Sequence, residues 1–61
     1  MCLAKVYVDH NENEAFAQSV TNFEQKGDEL TFITIFGEQK TVVGNIESID
    51  FTESVINVAT K

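Results

Sequence analysis

Cysteine and histidine occur once each in this sequence, as Cys2 and His10, and they are the two side chains best suited to soft-metal ligation or nucleophilic chemistry. Along an extended strand, at ~3.3 Å per residue, they stand roughly 26 Å apart. Within one chain they can neither share a metal nor act as a nucleophile and its base, which must lie within hydrogen-bond reach. Across an antiparallel seam between two chains, His10 of one approaches Cys2 of the other, so a role in trans stays open. Otherwise a histidine beside Asn11 and Asn13 is simply a solvated turn residue. Cys2 has two readings. It is either a small apolar residue opening a buried strand, the common fate of a free cysteine, or a thiolate ligand. Its position gives the second reading unusual donors. Removal of Met1 leaves an amine on the residue that carries the thiol, and the two close a five-membered chelate ring on one metal. Two such units from a dimer supply two nitrogens and two sulfurs. If Met1 stays, its amine, the deprotonated Cys2 amide and the thiolate still chelate.

The remaining polar groups suggest less chemistry. Asp9, Glu12 and Glu14 flank His10, but they lack the oxygen-ligand spacing and the glycine of an EF-hand loop and read as a solvated turn. Asp28, Glu29 and Asp50 read as turn and strand-end groups. Glu38 and Lys40 read as solvent-facing partners across a hairpin. No catalytic constellation is present, and no enzymatic activity is expected.

What holds these residues must be small. Sixty-one residues make a single domain, expected over 1–61, and a chain of that size buries only about 60% of its unfolded surface. Apolar burial at roughly 25 cal/mol per Å² against roughly 1.5 kcal/mol of ordering entropy per residue comes out near zero for such a scaffold. The single cysteine excludes an intrachain disulfide, so a second copy of the chain or a bound metal is the expected supplement, and a lone thiol fits a reducing cytoplasm. No apolar run approaches the ~20 residues of a membrane span, and the N-terminus lacks signal-peptide character. The expectation is a soluble cytoplasmic protein away from the membrane. Ten acidic residues against four lysines give a net charge of −6, which repels nucleic acid and attracts cations.

Turn-forming clusters punctuate the chain at 10–13, 25–28, 36–38, 44–45 and 52–54, and the segments between are rich in Val, Ile, Phe and Thr, which suit a half-buried pleated surface. Cys2, Ala4, Val6 and Val8 alternate with Lys5, Tyr7 and Asp9, so the first segment is a strand with one apolar face. Leu30–Ile35 and Lys40–Val43 form a hairpin across Phe36-Gly37-Glu38. A second hairpin is expected from Asn45–Phe51 and Val55–Ala59, with Ile49, Phe51, Ile56 and Val58 in the core. Helix is credible only at Glu14–Val20, where an irregular strand leading to Phe23 fits equally. Five or six short antiparallel strands would leave adhesive edges in an open sheet, and closure into a small barrel removes them.

Met1-Cys2-Leu3-Ala4-Lys5-Val6-Tyr7, Leu30-Thr31-Phe32, Phe36-Gly37-Glu38-Gln39-Lys40, Val43-Gly44-Asn45-Ile46 and Ile49-Asp50-Phe51 together resemble the CooT family of small proteins that begin Met-Cys. The resemblance implies an all-β, SH3-like antiparallel barrel, a homodimer, and Ni(II) held through Cys2. It also implies service to a nickel enzyme such as carbon monoxide dehydrogenase, by storing, delivering or sensing the metal as a metallochaperone does. Two other functions compete. Relatives have been labelled RNA-binding, and here Tyr7 with some of Phe16, Phe23, Phe32, Phe36 and Phe51 would serve as stacking platforms. That requires a basic track, whereas Lys5, Lys26, Lys40 and Lys61 are scattered among acids, and most of the phenylalanines are expected in the core. The other competitor is a metal-free protein-interaction module.

Overall fold

The computed structural model describes residues 3–11 and 13–60. Its elements are β1 (Ala4–Val8), β2 (Ala17–Lys26), β3 (Glu29–Thr34), β4 (Gln39–Asp50) and β5 (Val55–Thr60). They follow one another around a closed barrel, as the expected all-β architecture requires. Sequential neighbours pair antiparallel, while β1 and β5 close the barrel in parallel. The parallel pair follows from parity: when an odd number of strands alternate in direction, the first and last run the same way.

Period-two alternation supplies the core. Leu30 and Phe32 of β3, Ile56 and Val58 of β5, and Val6 of β1 are buried together with Ala17 and Val20 of β2, and Ala4 and Val8 pack against them. Thr34 is buried as well, but its hydroxyl accepts hydrogen bonds from the backbone N–H groups of Phe36 (3.3 Å) and Glu38 (3.2 Å). It thereby fixes the β3–β4 turn, where Gly37 takes a φ of 84° that few other residues tolerate.

Two expectations are corrected and one open choice is decided. Of the helix and the irregular strand that fitted Glu14–Val20 equally, the strand forms, with β2 beginning at Ala17. Ser19 takes a φ of 58° where the register with β1 shifts between Val6↔Ala17 and Ala4↔Val20. This bulge lets two residues three apart face the same core, a spacing that imitates a helix. Gly44-Asn45 is no turn, since β4 runs through it for twelve residues. There β4 passes from pairing with β3 to pairing with β5, and a Cβ on Gly44 would strike the Ala59 carbonyl oxygen and stand 2.9 Å from Thr60 Cα. Lastly, Ile49 and Phe51 are outside the core, and of the phenylalanines only Phe32 is fully buried; Phe36 and Phe51 are 79% and 83% exposed.

The Gly44 contact sets a first prediction. The atoms a methyl group would meet are backbone and cannot rotate away, so Gly44→Ala is expected to cost about 3 kcal/mol, read as a lowered urea midpoint with an unchanged slope. A midpoint equal to that of the unaltered chain would contradict the close approach of β4 to β5.

Candidate metal centre

Cys2, the candidate ligand, lies outside the described residues, as does Glu12. The structure does define the strand that follows Cys2 and the barrel end where that strand starts. Lys5 N–H donates to the Ser54 carbonyl at 2.9 Å, Lys5 pairs with Val55, and Ala4 pairs with Val20. The start of β1 is thus clamped between β2 and the β4–β5 turn. Ala4, Val20, Phe23, Ile49, Phe51 and Ile56 line an open groove of about 240 Å³ at this end. Phe23 forms one flank and is held by stacking on Phe32, with ring centroids 5.7 Å apart and an interplanar angle of 26°.

Asp50 fixes the opposite flank. Its Oδ1 accepts hydrogen bonds from Thr52 Oγ1 (2.5 Å), Thr52 N–H (2.9 Å) and Glu53 N–H (3.2 Å), an Asx turn of the kind aspartate forms after a strand. The Thr52 hydroxyl contributes most, followed by the Glu53 and Thr52 amides, in holding the carboxyl below the usual aspartate range. Phe51 is carried outward on this turn. The reading of Asp50 as a strand-end group therefore holds.

His10 sits at the other end of β1. Asp9 and His10 both take positive φ, 53° and 59°, turning the chain away after Val8, and Asp9 N–H donates to the Val58 carbonyl at 2.8 Å. His10 Nε2 lies 3.2 Å from Glu47 Oε1, with the imidazole 76% exposed. Asp9 is not merely solvated, as its carboxylate accepts from Thr60 Oγ1 (2.6 Å) and Thr60 N–H (2.9 Å) and ties the end of β1 to β5. The Thr60 hydroxyl, then the Thr60 amide, lower its pKa. Because the folded value lies below the unfolded one, this clamp contributes fully above the unfolded pKa near 3.8 and is lost as pH falls through the folded value.

Lys40 also departs from the expectation of a plain solvent-facing charge. Its Nζ donates to the Phe16 carbonyl at 2.9 Å and lies 5.6 Å from the Phe16 ring centroid. Among the described residues no three of His, Cys, Asp and Glu converge, and no helix is long and apolar enough to cross a membrane. The feature that residue-type reasoning missed is the groove. Its one sequence signal is Asp50-Phe51-Thr52-Glu53, in which a phenylalanine occupies a turn.

Residues 1–59 match the family model described as CO dehydrogenase accessory protein CooT. A protein of Methanocaldococcus jannaschii is 36% identical over 56 residues, covering 92% of this chain and 93% of its own. The barrel superimposes on a crystal structure assigned to CooT from Carboxydothermus hydrogenoformans with a TM-score of 0.85, at 20% identity, covering 98% of each chain; at that identity the likeness speaks to fold.

Proposed function

Because the chain belongs to the CooT family of CO dehydrogenase accessory proteins, we propose that it is a cytoplasmic carrier of Ni²⁺ for that enzyme. In this reading the metal is bound by the Cys2 thiolate of each copy in a homodimer. The observation that carries the reading is that the family match begins at residue 1 and so includes the Met1-Cys2 opening. The donor set supports it, since Ni²⁺ accepts nitrogen and thiolate ligands well and an amine and thiolate on one residue form a compact chelate. Nickel is cargo here, and the protein performs no catalysis of its own. The charge of −6 favours a cation over a nucleic acid, even though the exposed Phe36 and Phe51 offer more aromatic surface than the residue pattern led one to expect.

The test is a calorimetric Ni²⁺ titration of protein whose N-terminus has been defined by intact mass. Tight binding is expected, and no binding near neutral pH with Met1 removed would refute the reading in favour of a metal-free interaction module. Affinity should also rise with pH, because the thiol must lose its proton and the amine must be neutral to bind. A free thiol titrates at about 8.5, so the steepest change is expected between neutral and mildly alkaline pH. A flat response with the protein still folded would argue against thiolate ligation.

A further inference from the structure

The turn that joins β3 to β4 displays two large apolar side chains that the barrel does not use, and we propose that Ile35 and Phe36 form the prong by which the chain docks on the enzyme it serves. The receiving surface on that enzyme is an apolar recess rimmed by lysine or arginine. The inference rests on the carrier reading above and adds which face meets the enzyme and what chemistry receives it.

Ile35 is 58% and Phe36 79% exposed, and neither belongs to the core or to the shell of side chains packed against it. Turn positions are normally filled by Gly, Pro, Asn, Asp or Ser, and Gly37 supplies the positive φ needed here. The turn itself therefore gives no reason for an Ile-Phe pair. Its backbone is nonetheless tightly held. Every N–H from Ile35 to Glu38 is bonded: Ile35 to the Ser19 carbonyl at 2.9 Å, Gly37 to the Thr34 carbonyl at 3.0 Å, and Phe36 and Glu38 to the Thr34 hydroxyl. Thr34 is itself buried, so the turn is anchored within the barrel. A fixed backbone presenting an aromatic ring suits an interface anchor, since little conformational freedom is lost when it binds. Phe36 alone offers roughly 150 Å² of apolar surface, at about 150–250 Å² per aromatic side chain. That is about a fifth of an interface of about 800 Å² per partner, the share of an anchor, and it leaves the rim to polar groups.

The rim has a sign. Beside Phe36 the surface continues over Ala15, Phe16, Glu38 and Lys40 and on to Glu14. Glu14 and Glu38 are exposed, whereas the Lys40 ammonium is held against the Phe16 carbonyl at 2.9 Å and lies 5.6 Å from the ring centroid. Two carboxylates beside one engaged ammonium, on a chain of net charge −6, are complementary to basic groups on the partner. A second copy of the chain fits badly, because a two-fold contact would set Glu14 and Glu38 against the same carboxylates. RNA is repelled for the same reason.

Biolayer interferometry of the full chain over immobilised, nickel-free CO dehydrogenase tests the prong. The unaltered chain is expected to bind saturably, and more weakly as salt rises. Phe36→Ser should weaken binding by at least about tenfold while keeping its β-sheet circular dichroism, and Glu38→Lys should slow association several-fold. Val43→Thr, which removes exposed apolar surface elsewhere on β4, should change nothing. No binding by the unaltered chain, a Phe36→Ser variant that binds as its parent does, or a Glu38→Lys variant that associates no more slowly would each overturn the proposal. So would a shift in oligomeric state on Phe36→Ser, which assigns the ring to a second copy, or Phe36-dependent binding to an oligouridine in place of the enzyme. If Phe36→Ser fails to fold, methyl spectra of the unaltered chain decide: Ile35 signals that shift on adding the enzyme while those of Val43 stay put support the prong, and unmoved Ile35 signals refute it. Ni²⁺ titration of the same proteins separates the two readings. A chain that docks through Phe36 but binds no nickel keeps the prong and loses the carrier function. One that binds nickel and meets the enzyme equally well without Phe36 keeps the carrier function and loses the prong.

Discussion

Replacing Cys2 by serine is expected to lower Ni²⁺ affinity by at least about a hundredfold, since a neutral hydroxyl takes the place of a thiolate favoured by this metal over oxygen donors. The same substitution should leave the fold nearly untouched. The core is built from Val6, Ala17, Val20, Leu30, Phe32, Ile56 and Val58, and the first strand is secured from Ala4 onward by Val20 on one side and by Ser54 and Val55 on the other. His10→Ala should change affinity little, because the imidazole stands with Glu47 beyond the far end of β1. Calorimetry on the three proteins, with circular dichroism as the fold control, measures both effects. A serine variant binding as tightly as its parent would remove Cys2 from the site. A large loss in His10→Ala would instead revive an antiparallel seam in which histidine reaches the other chain's cysteine.

The first strand and the β3–β4 hairpin were legible in the sequence because each obeys one rule throughout. β1 alternates, and Gly37 supplies the positive φ that the turn requires. The segment before Phe23 was ambiguous because the bulge at Ser19 brings Ala17 and Val20 onto one face, and spacing alone cannot separate a bulged strand from a helical turn. Gly44 was misread because a glycine demanded by close backbone approach looks the same in a sequence as one demanded by a turn. Cys2 was identifiable as a candidate ligand from its residue type and family pattern, whereas the groove left only the faint signal of Phe51 beside a turn. A phenylalanine in the core and one displayed on a surface are the same letter. Only the register, which ends β4 at Asp50 and hands Phe51 to the turn, distinguishes them.

Phe32→Ala is expected to lower the melting temperature of the metal-free protein by at least about 12 °C, at about 4–8 °C per kcal/mol for a domain this small. Phe32 is the largest of the fully buried side chains. It stacks on Phe23 and packs in a T-shaped arrangement with Phe16, at a centroid distance of 6.4 Å and an interplanar angle of 77°, so its removal strands two further rings. A buried Phe→Ala change costs about 3–5 kcal/mol. At roughly 0.05–0.15 kcal/mol per residue, the whole stability of a chain this size is about 3–9 kcal/mol. The loss therefore removes from about a third to all of what is available, and a core of so few residues has little to offset it. Thermal denaturation followed by circular dichroism reads the effect, and a melting temperature within a few degrees of the parent would show that Phe32 is not the centre of the barrel. The milder Phe32→Leu variant links the core to the metal. If Ni²⁺ binds the folded dimer far better than the unfolded chain, saturating metal adds RT ln(1 + [L]/Kd), about 2.7 kcal/mol at a hundredfold excess over Kd. Nickel should then raise the melting temperature of Phe32→Leu clearly, and should fail to do so once Cys2→Ser is added. Equal rescue of both proteins would mean that the stabilising ion binds somewhere other than the N-terminus.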